Sequence, residues 1–186
     1  MTLHVVPINH CNACGAKVDY KVPKGDTHAR AVCPACGHIQ YQNPKVVVGS
    51  VPVWEDRILL CRRAIEPRHG KWTLPAGYME NNETAPEGAA REAMEEANAR
   101  IDVEQLYTLF SVPHISQVYV LFRARLLDLD FSPGEESLEV KLVREDEIPW
   151  DELAFACVRR TLAHFFEDRR TGMYLPRFGE IRPPER

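Results

Sequence analysis

Residues 77–99 run Gly77-Tyr-Met-Glu-Asn-Asn-Glu83-Thr-Ala-Pro-Glu-Gly-Ala-Ala-Arg91-Glu92-Ala-Met-Glu95-Glu96-Ala-Asn98-Ala99. On a helix, Glu92, Glu95 and Glu96 share one face, because residues three and four positions apart are neighbours. Three carboxylates on one surface repel each other unless a positive charge lies between them. A divalent cation that prefers oxygen ligands is the natural partner. The stretch therefore predicts a helix that carries a divalent metal site.

The same stretch resembles the Nudix box, Gly-x5-Glu-x7-Arg-Glu-U-x-Glu-Glu-x-Gly-U, in which U is a bulky apolar residue. The matching positions are Gly77, Glu83, Arg91, Glu92, Glu95 and Glu96. Asn98 replaces the second glycine, and the small Ala93 and Ala99 stand at apolar positions. Asparagine follows glycine in tolerating the left-handed conformation at a helix end, so Asn98 still permits the helix to stop there. The alternative, a solvated acidic helix, would mix charges of both signs.

The predicted helix has many small side chains. Either Asn82 or Thr84 can cap its N terminus. A stripe of small residues would let the helix approach a sheet closely: Pro86, Ala90, Ala93 and Ala97. Gly88, which costs helix stability, either leaves room for a ligand over the carboxylates or permits close packing.

Two cysteine pairs precede this region, Cys11-Asn-Ala-Cys14-Gly15 and Cys33-Pro-Ala-Cys36-Gly37. Their spacing is typical of a four-thiolate Zn²⁺ site, and each following glycine allows a tight turn. Two disulfides or a redox pair are the alternatives, and the adjacent His10 and His38 could substitute as ligands. The segment resembles a zinc ribbon, and its core is too small to fold without the metal.

The rest of the chain alternates strand and helix patterns. Runs rich in β-formers predict strands at residues 45–54, 57–63, 103–112, 117–127 and 139–143. Apolar periodicity predicts a last helix over about 150–169. The pattern indicates an α/β fold. The resemblance implies a zinc ribbon at 1–42 and a Nudix domain at 43–170, with a mixed sheet in an α/β/α sandwich. The remaining tail, 171–186, is rich in proline and charge from residue 176 on, and we expect it to be disordered or to pack on a partner chain.

Composition limits the function classes. The 186 residues carry a net charge of −4, with 45% hydrophobic and 27% charged residues, as in a soluble globular protein. The charge gives no sign of a nucleic-acid-binding surface. No stretch has the length of a membrane span, and the apolar segment at residues 3–8 is too short for a signal peptide. We therefore expect a cytoplasmic protein, and the resemblance leaves a homodimer open.

By the resemblance, the chain hydrolyses a nucleoside diphosphate linked to another moiety. Glu92, Glu95, Glu96 and the Gly77 carbonyl would bind Mg²⁺ or Mn²⁺, which neutralises the diphosphate and activates water. Arg91 would orient these carboxylates through Glu83.

A loop glutamate is a second source of a general base, besides the helix. In the segment Ser132-Pro-Gly134-Glu135-Glu136-Ser137-Leu-Glu139, proline and glycine predict a mobile loop that can close over substrate. Glu139 is the first candidate because it opens a strand and can be held rigidly, and Glu136 is the second. The alternative is that both are solvated loop acids.

The residues after the box narrow the choice of substrate. A zinc ribbon before a Nudix domain resembles both the bacterial NADH pyrophosphatases and a related group that acts on ADP-ribose or FAD. The NADH enzymes carry a Ser-Gln-Pro-Trp-Pro-Phe-Pro-like run, whereas this chain has Ser111-Val-Pro-His-Ile-Ser-Gln117-Val-Tyr119. ADP-ribose or FAD is therefore favoured over NADH. Phe110, His114 and Tyr119 could stack on a base, although aromatic residues in strands are more often core. The alternatives are a non-catalytic nucleotide sensor or interaction protein, and a pyrophosphatase directed to RNA caps.

Overall fold

The structure, a computed structural model, describes residues 7–183. Residues 3–6 of the apolar N-terminal segment and residues 184–186 of the predicted tail lie outside the described part. The chain divides into two compact units, and the second begins at Lys45. Within residues 7–183, no helix combines the length and the apolar composition needed to cross a bilayer.

The first unit is built on a small antiparallel sheet. Its strands β1 (Asp19–Lys21), β2 (Arg30–Val32) and β3 (Ile39–Gln40) lie in that order. Among its described residues, Ala31, Val32 and two of the cysteines are the only buried hydrophobic side chains. Such a core is too small to stabilise a fold alone, so other bonds must hold the unit together.

The second unit holds the long strands and both α-helices. Its elements within the described residues are β4 (Lys45–Trp54), β5 (Arg57–Arg63), β6 (Trp72–Thr73), β7 (Ala76–Tyr78), α1 (Ala85–Ala97), β8 (Ile101–Val112), β9 (Gln117–Leu126), β10 (Ser137–Val143), α2 (Ala156–Thr171) and β11 (Arg177–Glu180). Short 3₁₀ turns lie at Pro113–Ile115, Glu145–Glu147 and Trp150–Glu152.

One sheet organises this unit. Its order is β10-β5-β4-β9-β8-β11, with β6 paired to β5 and β7 to β4. The pairs β4–β9 and β8–β11 are parallel and the others are antiparallel, which confirms the predicted mixed sheet.

The two helices cover opposite faces of the sheet, as the alternation along β5 shows. Ile58 and Leu60 belong to the larger core, together with five buried side chains of α2. Leu59 and Cys61 point to the other face and pack in a smaller cluster with Ala97 at the end of α1. Because side chains alternate across a strand, the two clusters lie on opposite sides of the sheet. The predicted α/β/α sandwich is confirmed.

Helix α1 begins and ends where its capping residues require. The Thr84 hydroxyl accepts a hydrogen bond from the Glu87 amide, and the Glu87 side chain accepts one from the Thr84 amide, which completes a capping box. Thr84 is thus the N-cap, not Asn82. At the other end Asn98 adopts the left-handed conformation with φ 47°, as the sequence predicts.

At the C terminus the start of the last helix was predicted wrongly, and part of the predicted tail is ordered. The last helix begins at Ala156 and not near residue 150, because Pro149 is followed by the 3₁₀ turn Trp150–Glu152 and Phe155 is extended. The predicted tail contains β11, which extends the sheet next to β8. A buried carboxylate holds this segment in place, since Asp168 accepts hydrogen bonds from Tyr107 Oη and from the Arg177 guanidinium.

Candidate active site

The buried face of α1 carries two of the predicted metal ligands. Glu92 and Glu96 are 7% and 5% exposed, whereas Glu95 lies in solvent. The buried positions are Gly88, Ala89, Glu92, Ala93, Glu96 and Ala97. The predicted stripe of small residues was therefore only partly right: Pro86 is exposed and Ala90 is half-buried. The helix turns its glutamates, and not only its alanines, toward the sheet.

Close approach of α1 to the sheet requires two glycines. A Cβ atom added to Gly77 would lie 2.4 Å from Glu92 Oε2, so this carboxylate rests directly on β7. A Cβ atom on Gly88 would lie 2.7 Å from Val48 Cγ2 in β4 and 2.6 Å from Glu83 Oε1. The packing explanation of Gly88 is therefore the supported one.

Arg91 connects the carboxylates around the helix. Its Nε and Nη2 atoms donate to the two Glu83 oxygens at 3.0 and 2.9 Å. Its Nη1 atom donates to Glu92 Oε1 and to Glu95 Oε2, both at 2.7 Å, and Nη2 also donates to the Tyr78 carbonyl at 3.0 Å. The structure thus brings together the residues through which Arg91 was predicted to act. Because of this pairing, the Arg91 guanidinium lowers the pKa of Glu83 to about 2.

The two buried carboxylates are poorly solvated as anions. Burial, followed by the charge of Glu92, raises the pKa of Glu96 to about 8. Burial also raises the pKa of Glu92, against the lowering effect of Arg91. Glu96 Oε2 accepts one hydrogen bond, from the Ala76 amide at 3.3 Å. Carboxylates in such a place gain most from a nearby cation, and oxygen donors suit Mg²⁺ or Mn²⁺.

The two loop glutamates have different surroundings, although both are exposed. Gly134, two residues before Glu136, donates its amide to the Glu96 carbonyl at 3.0 Å, which brings this part of the loop against the end of α1. After burial, the charge of Glu136 is a further and smaller cause of the raised pKa of Glu92 and of Glu96. Glu139 instead lies on β10, half exposed, with Oε2 3.8 Å from Arg62 Nη1. A β-bulge between Ser137 and Glu139 separates the two positions. Glu136 is thus the better-placed loop acid.

Arg63 is a further site residue that the sequence analysis missed. Its side chain is buried, donates from Nε to the Pro67 carbonyl at 2.9 Å and lies 5.2 Å from the centroid of the Phe155 ring. Its charge lowers the pKa of Glu96, although burial outweighs that effect. Alternation along β5 from Cys61 was the signal that could have identified it.

The aromatic residues proposed for base stacking are mostly core. Phe110 is 1% exposed and Tyr119 is 8% exposed, while His114 is in solvent. Tyr78, which follows Gly77 on β7, has an exposed ring, and alternation along the strand directs it away from the face on which Gly77 meets Glu92. Lys45 Nζ lies 4.5 Å from the centroid of that ring, and Gln117 Nε2 donates to Tyr78 Oη at 2.9 Å.

The four cysteines of the first unit converge on one point. Their Sγ atoms all lie within 4.8 Å of one another, with Cys11–Cys36 at 3.7 Å and Cys14–Cys33 at 3.5 Å. A disulfide would need about 2.05 Å. Four thiolates about 2.3 Å from a tetrahedral Zn²⁺ lie roughly 3.8 Å apart, which these separations match. Neither His10 nor His38 belongs to the group.

The turns after each cysteine pair have the predicted glycine geometry. Gly15 and Gly37 both have φ 75°. Their amides donate to the Cys11 and Cys33 carbonyls at 2.9 Å, which closes the two turns in the same way. The amide of Cys36 lowers the pKa of Cys33 to about 7, which favours its thiolate. Against the lowering effect of the His38 amide, contacts with the Cys14 and Cys33 thiols raise the pKa of Cys36 to about 12.

Comparison with known proteins agrees with this geometry. The profile of the Nudix N-terminal zinc ribbon matches residues 9–42, and the NUDIX domain profile matches residues 43–165, more than half of the chain. The chain belongs to the Nudix family of hydrolases. A NUDIX hydrolase from Nitrosomonas europaea has a similar structure, with a TM-score of 0.89 and 54% identity over 94% of this chain and 100% of that one.

Curated relatives are more distant. A MutT-like protein from Streptomyces ambofaciens is 35% identical over 55% of this chain and 66% of its own length, just under two thirds. An ADP-ribose pyrophosphatase from Methanocaldococcus jannaschii is 27% identical over 62% of this chain and 69% of its own. An ADP-ribose pyrophosphatase from Streptococcus suis, with a TM-score of 0.60 and 22% identity over 74% of this chain and 100% of its own, shares the fold.

Proposed function

We propose that this Nudix protein hydrolyses the diphosphate bond of a nucleoside diphosphate joined to a second group, with Mg²⁺ or Mn²⁺. ADP-ribose is the first substrate, FAD the second, and NADH is less favoured. The observation that carries the proposal is the burial of Glu92 and Glu96 on one face of α1. Burying carboxylates without a cation is costly, and a stable helix has no need of them there.

Each residue of the site has a distinct role in this proposal. Glu92, Glu95, Glu96 and the Gly77 carbonyl would hold the cation, which when bound neutralises the diphosphate and lowers the pKa of a water. Arg91 holds Glu92 and Glu95 in place and is itself held by Glu83. Glu136 is the leading candidate to accept the proton of the attacking water, and Glu139 is the second.

ADP-ribose is supported by the similarity to the Methanocaldococcus jannaschii ADP-ribose pyrophosphatase. The chain also lacks the Trp-Pro-Phe run of the NADH enzymes. In the first unit, the four cysteines would bind one structural Zn²⁺.

A hydrolysis screen tests the proposal. Purified protein is incubated with ADP-ribose, FAD, NADH and capped RNA, with and without Mg²⁺ or Mn²⁺, and AMP release is measured. ADP-ribose should give AMP and ribose 5-phosphate only when the cation is present. Nucleotide binding without turnover of any substrate would contradict hydrolysis and favour the sensor. Preferred turnover of capped RNA, with salt-dependent binding, would favour the RNA-directed alternative.

A further inference from the structure

The residue that ends α1 contacts a distant loop. Asn98 Nδ2 donates to the Ser132 carbonyl and to Ser132 Oγ, both at 3.1 Å, and to the Pro133 carbonyl at 3.3 Å. Its two N–H groups thus serve three acceptors across 34 or 35 residues of sequence. The glycine that the Nudix pattern has at this position could end the helix equally well, but it has no side chain to make these contacts.

The backbone of the loop is docked on the same turn of α1. The Ser132 amide donates to the Ala97 carbonyl and the Gly134 amide donates to the Glu96 carbonyl, both at 3.0 Å. These are carbonyls of the last helical turn, which lack partners within the helix. A Cβ atom on Gly134 would lie 1.7 Å from the Glu95 carbonyl oxygen. This glycine therefore serves a close approach of the loop to α1.

Glu136 follows this docked segment and is held on its other side as well. The Ser137 amide donates to the Gly134 carbonyl at 3.1 Å, and the Ala64 amide donates to the Glu136 carbonyl at 2.8 Å. Ser137 then pairs with Arg63 at the start of β10. The position of Glu136 against α1 is thus set by two anchors, the Asn98 contacts and the junction with β5.

We propose that Asn98 is a positioning residue, whose amide fixes Ser132–Gly134 to the end of α1 and thereby holds Glu136 beside Glu92 and Glu96. The inference rests on the proposed hydrolase function. Asparagine in place of the family's glycine then has two roles: it ends the helix, and its side chain adds a contact that serves catalysis.

The test is Asn98→Gly, which keeps the left-handed cap and removes only the side chain. A net hydrogen bond changes an equilibrium by up to about ten-fold. We therefore expect amide hydrogen exchange at Ser132 and Gly134 to accelerate about ten-fold, with kcat for ADP-ribose falling by a similar factor and KM nearly unchanged. Asn98→Asp should have the same effects as Asn98→Gly. Aspartate tolerates the same backbone conformation, but its carboxylate can only accept hydrogen bonds, and the three loop atoms are acceptors as well.

A double-mutant cycle separates positioning from general stability. If Asn98 acts through Glu136, Asn98→Gly should lower kcat in the wild-type background and have no further effect in Glu136→Gln. Equal effects in both backgrounds would overturn the positioning role, as would unchanged exchange at Ser132 and Gly134. If the wild-type chain hydrolyses no substrate, the proposed function fails, and the exchange measurement alone still decides whether Asn98 holds the loop.

Discussion

The cysteine module and the glutamate face of α1 arrange their ligands in opposite ways. In the first unit, four sulfur atoms already lie 3.5–3.7 Å apart in pairs and within 4.8 Å as a group. On α1, Glu92 and Glu95 bind the same Arg91 nitrogen, while Glu96 lies buried against the Ala76 amide. Within residues 7–183, no carboxylate group reaches the compactness of the four sulfurs.

The difference separates a structural site from a catalytic one. A closed tetrahedral set of thiolates leaves no position for substrate and contributes its binding energy to folding. A set of separated carboxylates with some solvent access leaves positions for water and for phosphate oxygens. Mutations should therefore affect activity alone in one region and folding alone in the other.

Glu96→Gln should have the largest effect on activity. It keeps the side-chain size but removes a charged ligand, so we expect turnover of ADP-ribose to fall by more than the roughly 10–100-fold typical of changes to residues that only support a metal's ligands. Folding should be kept, because glutamine fills the same space and is neutral at every pH. Turnover is measured as AMP release, and folding is measured by circular dichroism.

Glu152→Gln is the matched control, since this exposed glutamate lies in a 3₁₀ turn far along the chain from α1. It should retain full activity. Near-wild-type turnover in Glu96→Gln would mean that α1 does not hold the catalytic metal.

Cys14→Ser should disrupt the four-cysteine group of the first unit. The wild-type chain should carry about one Zn²⁺, and the variant should lose it because one of four thiolates is missing. We expect the first unit to unfold while α1 and the large sheet keep their fold, as measured by elemental analysis and two-dimensional NMR. His38→Ala should keep its zinc, because His38 is not in the sulfur group. A zinc-free wild type with oxidised thiols would instead favour disulfides.

The loop acids extend this comparison to residues outside α1. Their variants test which glutamate of the loop acts together with the carboxylates of the helix. Glu136→Gln should lower kcat about ten- to a hundred-fold with little change in KM, as expected for a group that acts in the transition state. Glu139→Gln should have a smaller effect, since its side chain pairs weakly with Arg62 in solvent. Glu135→Gln, on the same loop, is the control. A crippled Glu139→Gln with an active Glu136→Gln would make Glu139 the leading loop acid instead.

Local rules were enough to predict most of the elements. Runs rich in β-formers located β4 and β5 to the residue. Asn98 marked the C-terminal end of α1, and Thr84 was one of the two candidates for its N-cap. The cysteine spacing predicted a four-sulfur group in the same way, because it is determined by two short turns. In these regions each element or turn depends on residues only a few positions away in the sequence.

The missed features depend on contacts that are distant in sequence. β11 is ordered by Asp168 and Arg177 together with Tyr107, 61 residues before Asp168. Glu136 approaches the buried glutamates because Asn98 and Gly134 dock the loop, and composition alone suggested a mobile loop. Burial of Glu92 and Glu96, rather than of alanine alone, also requires the sheet to be in place.

The pH dependence of stability should show the smallest effect, and it is specific to the carboxylate region. Burial raises the pKa of Glu96 from 4.5 to about 8 on folding. Between these values the folded chain keeps a proton that the unfolded chain has released. Without added divalent cation, this group's contribution to the unfolding free energy therefore falls as pH rises from about 5 to 8, by at most about 1.4 kcal/mol per pH unit, and then levels off.

The difference between the wild type and Glu96→Gln isolates this contribution. The wild type alone does not suffice, because burial lowers the pKa of His164. The contribution of this histidine to the unfolding free energy therefore rises with pH in part of the same pH range. The melting temperature of the wild type should drop relative to the variant by about 2–4 °C for each kcal/mol lost. Added Mg²⁺ should reduce that drop, because a bound cation stabilises the ionised carboxylate. Parallel melting curves for the two chains from pH 5 to 8 would show that Glu96 is not buried as a protonated acid.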